Sequence, residues 1–276
     1  IPSGPLHIIL YEAFGWQPPA YCHLPMVMGK DGQKLSKRHG STAVRDFRQQ
    51  GYLPEALLNY VSMVGWSYDG EREFFTREDL EELFTLEKIN KAPGVFDYKK
   101  LEWFNGQYIR QKSDEELLEL LLPYLVDAGF VSLPVDGEGR QQLLLLTASA
   151  KERLKVLSDI VTLSRFLFEE PVWDDLSIFC AKGVDLGVTT EALTRAYGIL
   201  RAGLESGLGD QEIEDNLMAL ASEMGLKVGG VFMPIRVAVT GSAVSLPLFD
   251  SIRLLSNQRA FGRIEKALDI LKREVR

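Results

Sequence analysis

From Tyr52 onward, apolar residues recur at three- and four-residue intervals along most of the chain, the spacing that gives a helix one hydrophobic face. Pro54 stands where a first helical residue belongs. Ala56, Leu57, Tyr60, Val61 and Val64 follow in register, and Gly65 stops the element. Thr76 with Asp79, and Ser113 with Glu116, place a hydroxyl three residues ahead of a carboxylate, a pairing that satisfies the free amides of a helix start. Asp114, Glu115 and Glu116 also oppose the positive end of the helix dipole. The helix opened by Ser113 runs through Leu117, Leu118, Leu121 and Leu122, and Pro123 is expected to bend or break it before Gly129 ends the segment. Residues 131–140 are a loop by composition. The pattern then predicts a long helical stretch over 140–169 with a break near Thr147, closed by Pro171, and a glycine-punctuated linker over 174–188. Four further helices are predicted at 191–205, 211–224, 248–255 and 259–272. Strand-like alternation is scarce and no internal repeat is visible, so the fold class is mostly α.

Composition narrows the picture less than its distribution does. A length of 276 residues suits roughly two domains at about 150 residues each. With 46% apolar and 25% charged residues, disordered and collagen-like chains are excluded. The net charge of −8 argues, as a mean, against a nucleic-acid partner. The charge is sorted, however: residues 30–48 carry +4, residues 251–276 carry +4, and residues 69–87 carry −6. Cys22 and Cys180 are too few and too far apart for a disulfide framework or a zinc site, and two free thiols suit the cytosol. No run approaches the roughly 18–20 apolar residues of a membrane span. Ile1-Pro-Ser-Gly-Pro lacks the charged start and apolar core of a signal peptide.

The stretch that carries chemistry is Met28-Gly-Lys-Asp-Gly-Gln-Lys-Leu-Ser-Lys-Arg-His-Gly40. Gly29 and Gly32 around Lys30-Asp31 make a tight turn, and the turn presents Lys34, Ser36, Lys37 and Arg38 on a cation-dense loop. Such a loop is either a solvated surface or a polyphosphate site. In the second case, cations on it follow the charge that builds on the leaving oxygens of a nucleoside triphosphate.

Lys-Leu-Ser-Lys-Arg preceded by Gly-Lys-Asp-Gly resembles the second signature of class I aminoacyl-tRNA synthetases, in the form used by glutamyl-tRNA synthetases. Leu10-Tyr-Glu-Ala-Phe-Gly-Trp16 and His23-Leu-Pro25 lead into the loop as they do in the bacterial enzymes. Past the loop, 51–60, Gly65-Trp66 and 96–109 are similar to the stem-contact segment, and 234–241 with Pro247-Leu-Phe249 to the distal anticodon-binding domain. The resemblance therefore extends from about residue 8 to 270. It implies the end of a class I catalytic domain with the lysine loop (1–45), a stem-contact domain (46–112), and an anticodon-binding domain in two helical parts (113–180 and 181–276).

The same resemblance implies a two-step ligation. Glutamate and ATP give glutamyl-adenylate and pyrophosphate, and the acyl group passes to the terminal ribose of a glutamate-accepting tRNA. Lys34 and Lys37 are the implied catalytic residues, and Lys37, Ser36 and Arg38 the implied ATP contacts; His39 has no assigned role. Mg²⁺ would accompany ATP with ligands outside this chain, and zinc is not expected. A cytoplasmic monomer is implied, with tRNA as macromolecular partner. The first signature, close to His-Ile-Gly-His, is imitated by Pro2-Ser-Gly-Pro-Leu-His-Ile8, but Ile9 occupies its glycine position and about 25 residues separate it from the lysine loop. The chain is accordingly expected to be the C-terminal portion of a longer ligase, inactive in ATP–pyrophosphate exchange alone. A non-catalytic tRNA-binding or assembly module of the same descent is the alternative.

Helical anticodon-binding domains read unpaired bases and hold phosphates with arginine and lysine. Lys151, Arg153, Lys155 and Arg165 are candidates in the first part, and Arg236, Arg253, Arg259 and Arg263 in the second; each is otherwise a surface charge. Arg165 and Arg236 stand out for their apolar contexts, and Arg165 is the candidate for selectivity between tRNAs. In the stem-contact segment Trp103, Asn105 and Tyr108 either contact tRNA or pack in the core, with Asn105 best placed for the RNA backbone.

Overall fold

A computed structural model describes residues 3–40 and 42–275. Ile1 and Pro2, the latter opening the stretch that imitates the first signature, lie outside the described residues. The backbone divides into two compact units, one ending at Tyr108 and the other beginning at Ile109.

The first unit holds α1 (Gly4–Ala13), α2 (Val44–Gln50), α3 (Pro54–Met63), α4 (Arg77–Leu83) and most of α5 (Tyr98–Gln111). Pro54 opens α3 as the pattern predicts. Thr76 and Asp79 form the expected reciprocal cap of α4: Asp79 N–H donates to Thr76 Oγ1 at 3.1 Å and Thr76 N–H to Asp79 Oδ2 at 2.9 Å. Burial is aromatic-rich. Tyr60 meets Phe96 edge-on at 5.1 Å, and Trp66, Phe75 and Leu80 form a cluster closed by Met63, Tyr68, Leu83 and Ile89. Among the described residues, β structure is limited to isolated bridges, Met28 with Lys34 and with Val95, and Trp66 with Ile89.

The second unit contains α6 (Asp114–Asp127), α7 (Gly137–Lys151), α8 (Asp159–Phe168), α9 (Leu186–Ser206), α10 (Asp210–Glu223), α11 (Gly229–Thr240), α12 (Leu248–Leu255) and α13 (Asn257–Glu274). α9 packs on α10, α11 and α13, while α6 packs on α7 and α8. Three expectations need correction. α6 is not broken at Pro123 but runs through it to Asp127, because Leu117, Leu118, Leu121, Leu122 and Leu125 bury a continuous face that outweighs one lost backbone bond. The break in the next stretch falls at 152–158, not at Thr147, whose hydroxyl donates to Leu143 O inside α7. Asp159 makes that break by accepting the N–H groups of Lys155 and Val156 at 2.9 and 3.1 Å. The stretch 174–188 is not a loose linker: Leu176–Phe179 is a 3₁₀ turn, Phe179 is fully buried, and the preceding Trp173 donates its indole N–H to Val237 O at 3.1 Å. α11 itself lies outside the predicted helices.

A lysine loop and an arginine pair as candidate sites

Antiparallel pairing shapes the lysine loop. Gly29 N–H donates to Gln33 O at 2.8 Å, Leu35 N–H to Val27 O at 2.9 Å, and Gly32 N–H closes the turn on Gly29 O at 3.0 Å. Gly32 has φ +71°, a conformation that costs a side-chain-bearing residue about 1–2 kcal/mol. The base of the turn is fixed from a distant part of the same unit, with Met28 N–H on Gly94 O and Phe96 N–H on Met28 O. Lys30 forms a 2.9 Å ion pair with Asp97, whose other bonds, from Lys99 and Lys100 N–H, cap α5. The Lys30 ammonium and these amides hold the Asp97 carboxyl below its usual range. Tyr60 fixes the Asp97 backbone from beneath: its hydroxyl donates to Asp97 O and accepts from Asp97 N–H, and burial pushes its pKa up to about 12.

On this frame Lys34 and Lys37 are exposed, and neither has a carboxylate partner among the described residues. Arg38 is 3.9 Å from Asp31 and mostly exposed, too loose a contact to neutralise it. Ser36 is half-buried and faces inward to His39. The loop therefore presents three cations outward while its backbone is held from behind. Anchoring by Lys30, Asp97 and Tyr60 escaped the sequence reading because the partners are far apart in the chain.

Asn105, expected at the RNA backbone, is fully buried. Its carbonyl accepts Leu53 N–H at 2.7 Å, and its amide donates to Gly51 O at 3.5 Å, so its polar atoms face the protein and not solvent. It holds the turn ahead of α3, a role set by burial that composition alone does not reveal. Trp103 is 46% exposed and rests obliquely against Phe74, leaving part of its ring open for stacking. Tyr108 is half-buried and donates its hydroxyl to Phe75 O at 3.1 Å.

The arginine and lysine candidates of the second unit separate by what they touch. Lys151 pairs with Asp114 at 3.0 Å, and Arg165 with Glu169 at 3.4 Å on the surface of α8. Arg253 bridges Asp210 and Asp250, and Arg259 pairs with Glu170 at 2.9 Å. Arg263 is 3% exposed and bonds Glu170, Val239 O and Glu169 O. These guanidinium groups hold Glu170 down at about 2. Arg153 and Arg236 differ, for neither has a carboxylate partner among the described residues. Arg236, half-buried on α11, donates through Nη1 to Ser245 Oγ at 2.9 Å and Leu246 O at 2.8 Å. The Nε–Nη2 edge, the fork that fits a phosphate or a base edge, is left open. Burial first, and then the neighbouring Arg153 charge, lower its pKa. Arg153 and Arg236 are thus two cations close enough to feel each other's charge, with no carboxylate partner among the described residues.

No group of three or more His, Cys, Asp or Glu residues able to hold a metal ion occurs among the described residues. No described helix is long and apolar enough to cross a membrane.

Comparison with known proteins matches two stretches of the chain to family models. Residues 1–103 match the family model "tRNA synthetases class I (E and Q), catalytic domain", and residues 116–268 match "Anticodon binding domain". The chain is 47% identical to a glutamate–tRNA ligase of Borreliella burgdorferi over 99% of its own length and 55% of that protein's. It is 45% identical to one of Treponema denticola over 97% of its length and 56% of the relative's. A crystal structure of a glutamate tRNA ligase from Elizabethkingia meningosepticum, in complex with its amino acid, superposes with a TM-score of 0.66 at 27% identity, covering 98% of this chain and 55% of that one. The chain thus spans about half the length of the curated relatives it matches. Since the anticodon-binding model alone covers more than half of its residues, the chain belongs to the anticodon binding domain family.

Proposed function

We propose that the chain works in the ligation of glutamate to tRNA, supplying the loop that holds the ATP phosphates and the surfaces that bind the tRNA stem and anticodon. In that reaction a carboxylate oxygen of glutamate bonds to the α-phosphorus of ATP as the bond to the pyrophosphate oxygen breaks. A ribose hydroxyl of the tRNA then takes the acyl group and AMP leaves. Lys34 and Lys37 sit opposite the charge that accumulates on the departing phosphates, and Ser36 and Arg38 complete the contact. Loss of one such donor costs about 10²–10³-fold in rate. Mg²⁺ arrives with ATP as part of the substrate.

On the RNA side, Arg236 and Arg153 take a phosphate or base edge and Trp103 offers a stacking face. Arg165 belongs to the same set. Its exposed pair with Glu169 is worth about 0.3–0.5 kcal/mol, small enough for RNA to displace. Asn105 acts through the turn it holds. The observation that carries the proposal is that Lys34, Lys37, Arg153 and Arg236 have no carboxylate partner among the described residues, in a chain related over nearly its whole length to glutamate–tRNA ligases.

The test is binding by the chain itself. Fluorescence anisotropy with a labelled glutamate-accepting tRNA transcript is expected to show tighter binding than with an unrelated tRNA. Arg153→Ala or Arg236→Ala should each weaken it by about 1–3 kcal/mol, and a lost phosphate contact lowers the salt slope by about 1. Equal affinity for the unrelated tRNA, or no effect of either substitution, overturns the reading.

A further inference from the structure

Within the lysine loop both ring nitrogens of His39 have hydrogen-bond partners. Nδ1 lies 3.0 Å from the Ser36 backbone nitrogen, 3.1 Å from Ser36 Oγ and 3.2 Å from Ser36 O. Nε2 lies 3.1 Å from both Asp31 carboxylate oxygens. A backbone N–H can only donate and an ionised carboxylate can only accept, so of the two neutral tautomers the one with the lone pair on Nδ1 and the proton on Nε2 satisfies both Ser36 N–H and Asp31. The ring rests on bare backbone: a Cβ at Gly29 would come within 2.8 Å of His39 Cδ2 and 3.0 Å of Nε2. Asp31, on the outgoing limb, is fixed in turn by Gln33 N–H at 3.0 Å. The imidazole thus bridges the two limbs, and its contact on the returning limb is the residue directly before Lys37.

We propose that His39, as the neutral Nε2–H tautomer, is a positioning residue that sets the Ser36–Lys37 backbone so that the Lys37 ammonium meets the nucleotide phosphates. The inference rests on the proposal that this loop binds ATP; His39 itself touches only protein. The charged groups around it are the Asp31 carboxylate and the Arg38 guanidinium 3.9 Å from that carboxylate, while Lys30 turns away to Asp97 and the Tyr98 ring closes on Gly40.

Two measurements on the chain test this. Long-range ¹H–¹⁵N correlation at neutral pH is expected to show His39 with a protonated Nε2 and an unprotonated Nδ1, distinct from the exposed His7 and His23. A protonated Nδ1, or a mixture like that of the two exposed histidines, overturns the assignment. The second is a MgATP titration followed at the Ser36–Gly40 amides. His39→Asn keeps an acceptor for Ser36 N–H and should retain most of the response. His39→Gln, which reaches only Asp31, and His39→Ala should each weaken binding roughly tenfold. Equal loss in all three variants, or loss that follows their melting temperatures, marks a purely structural residue and overturns positioning. Variants that all respond as the wild type overturn it too. A wild type whose loop amides do not respond overturns the ATP reading and the positioning role with it, leaving the tautomer result to stand alone.

Discussion

Replacing Arg263 by methionine separates an arginine that builds the fold from one that faces RNA, two roles that look identical in the sequence. The side chain is buried against the ends of two helices. Nη1 satisfies Val239 O, in the last turn of α11, at 2.9 Å, and Nη2 satisfies Glu169 O, just past α8, at 3.0 Å. Methionine fills comparable volume but leaves both carbonyls without their donor, at about 1–3 kcal/mol each. Glu170 is 58% exposed and can be rehydrated, so the lost ion pair adds only the surface value of about 0–1 kcal/mol. Methionine packing returns part of this, and the expected net loss is about 3 kcal/mol, or roughly 6–12 °C in Tm. Arg259→Met is the control. That residue is 44% exposed, and its bonds to Leu167 O and Glu170 should be worth under about 1 kcal/mol. Urea unfolding followed by circular dichroism reads the difference, and tRNA binding under conditions where both variants are folded should match the wild type. An Arg263→Met variant no less stable than Arg259→Met would refute the reasoning, as would a folded one that had lost tRNA affinity.

Glu170 gives a pH test of the same cluster. Its carboxyl is held at about 2 against an ordinary 4.5, so the stability it contributes is complete above about pH 4.5 and disappears as pH falls toward 2. The Tm difference between wild type and Glu170→Gln should be constant at neutral pH and shrink below 4.5; a difference that persists unchanged in acid counts against it. Asn105→Ala should destabilise the first unit by about 1–3 kcal/mol by stranding the buried Leu53 N–H, with no change in the salt slope of tRNA binding. A stable variant with a reduced slope would return Asn105 to the RNA surface.

Legibility tracks the distance over which a feature's causes act. The caps of α4 and α6 were readable because hydroxyl and carboxylate lie three residues apart, and the lysine loop because turn glycines and cations are contiguous. His39 carried an equally local signal that the sequence analysis left without a role. Ser36-x-x-His39 has the spacing of a capping box with imidazole in place of the usual carboxylate or amide, and its backbone bond to Ser36 is the reach-back arm of that motif. α11 is the opposite case. Gly229, Gly230, Pro234 and a run of β-branched residues argue locally against a helix, yet Val231, Ile235, Val237, Ala238 and Val239 are all fully buried. Burial on nearly every side removes the one-faced pattern by which an exposed helix announces itself and supplies the packing energy that overrides propensity. The same packing decides which arginines remain available. Arg236 and Arg263 both lie in helices of the second unit, but Glu170 and two helix-end carbonyls surround Arg263, while a hydroxyl and a carbonyl, and no carboxylate among the described residues, meet Arg236. No local pattern distinguishes them, because the deciding partner of Arg263 is 93 residues away. Charge counted along a chain shows where cations are dense, and only the fold shows which of them still lack an anion.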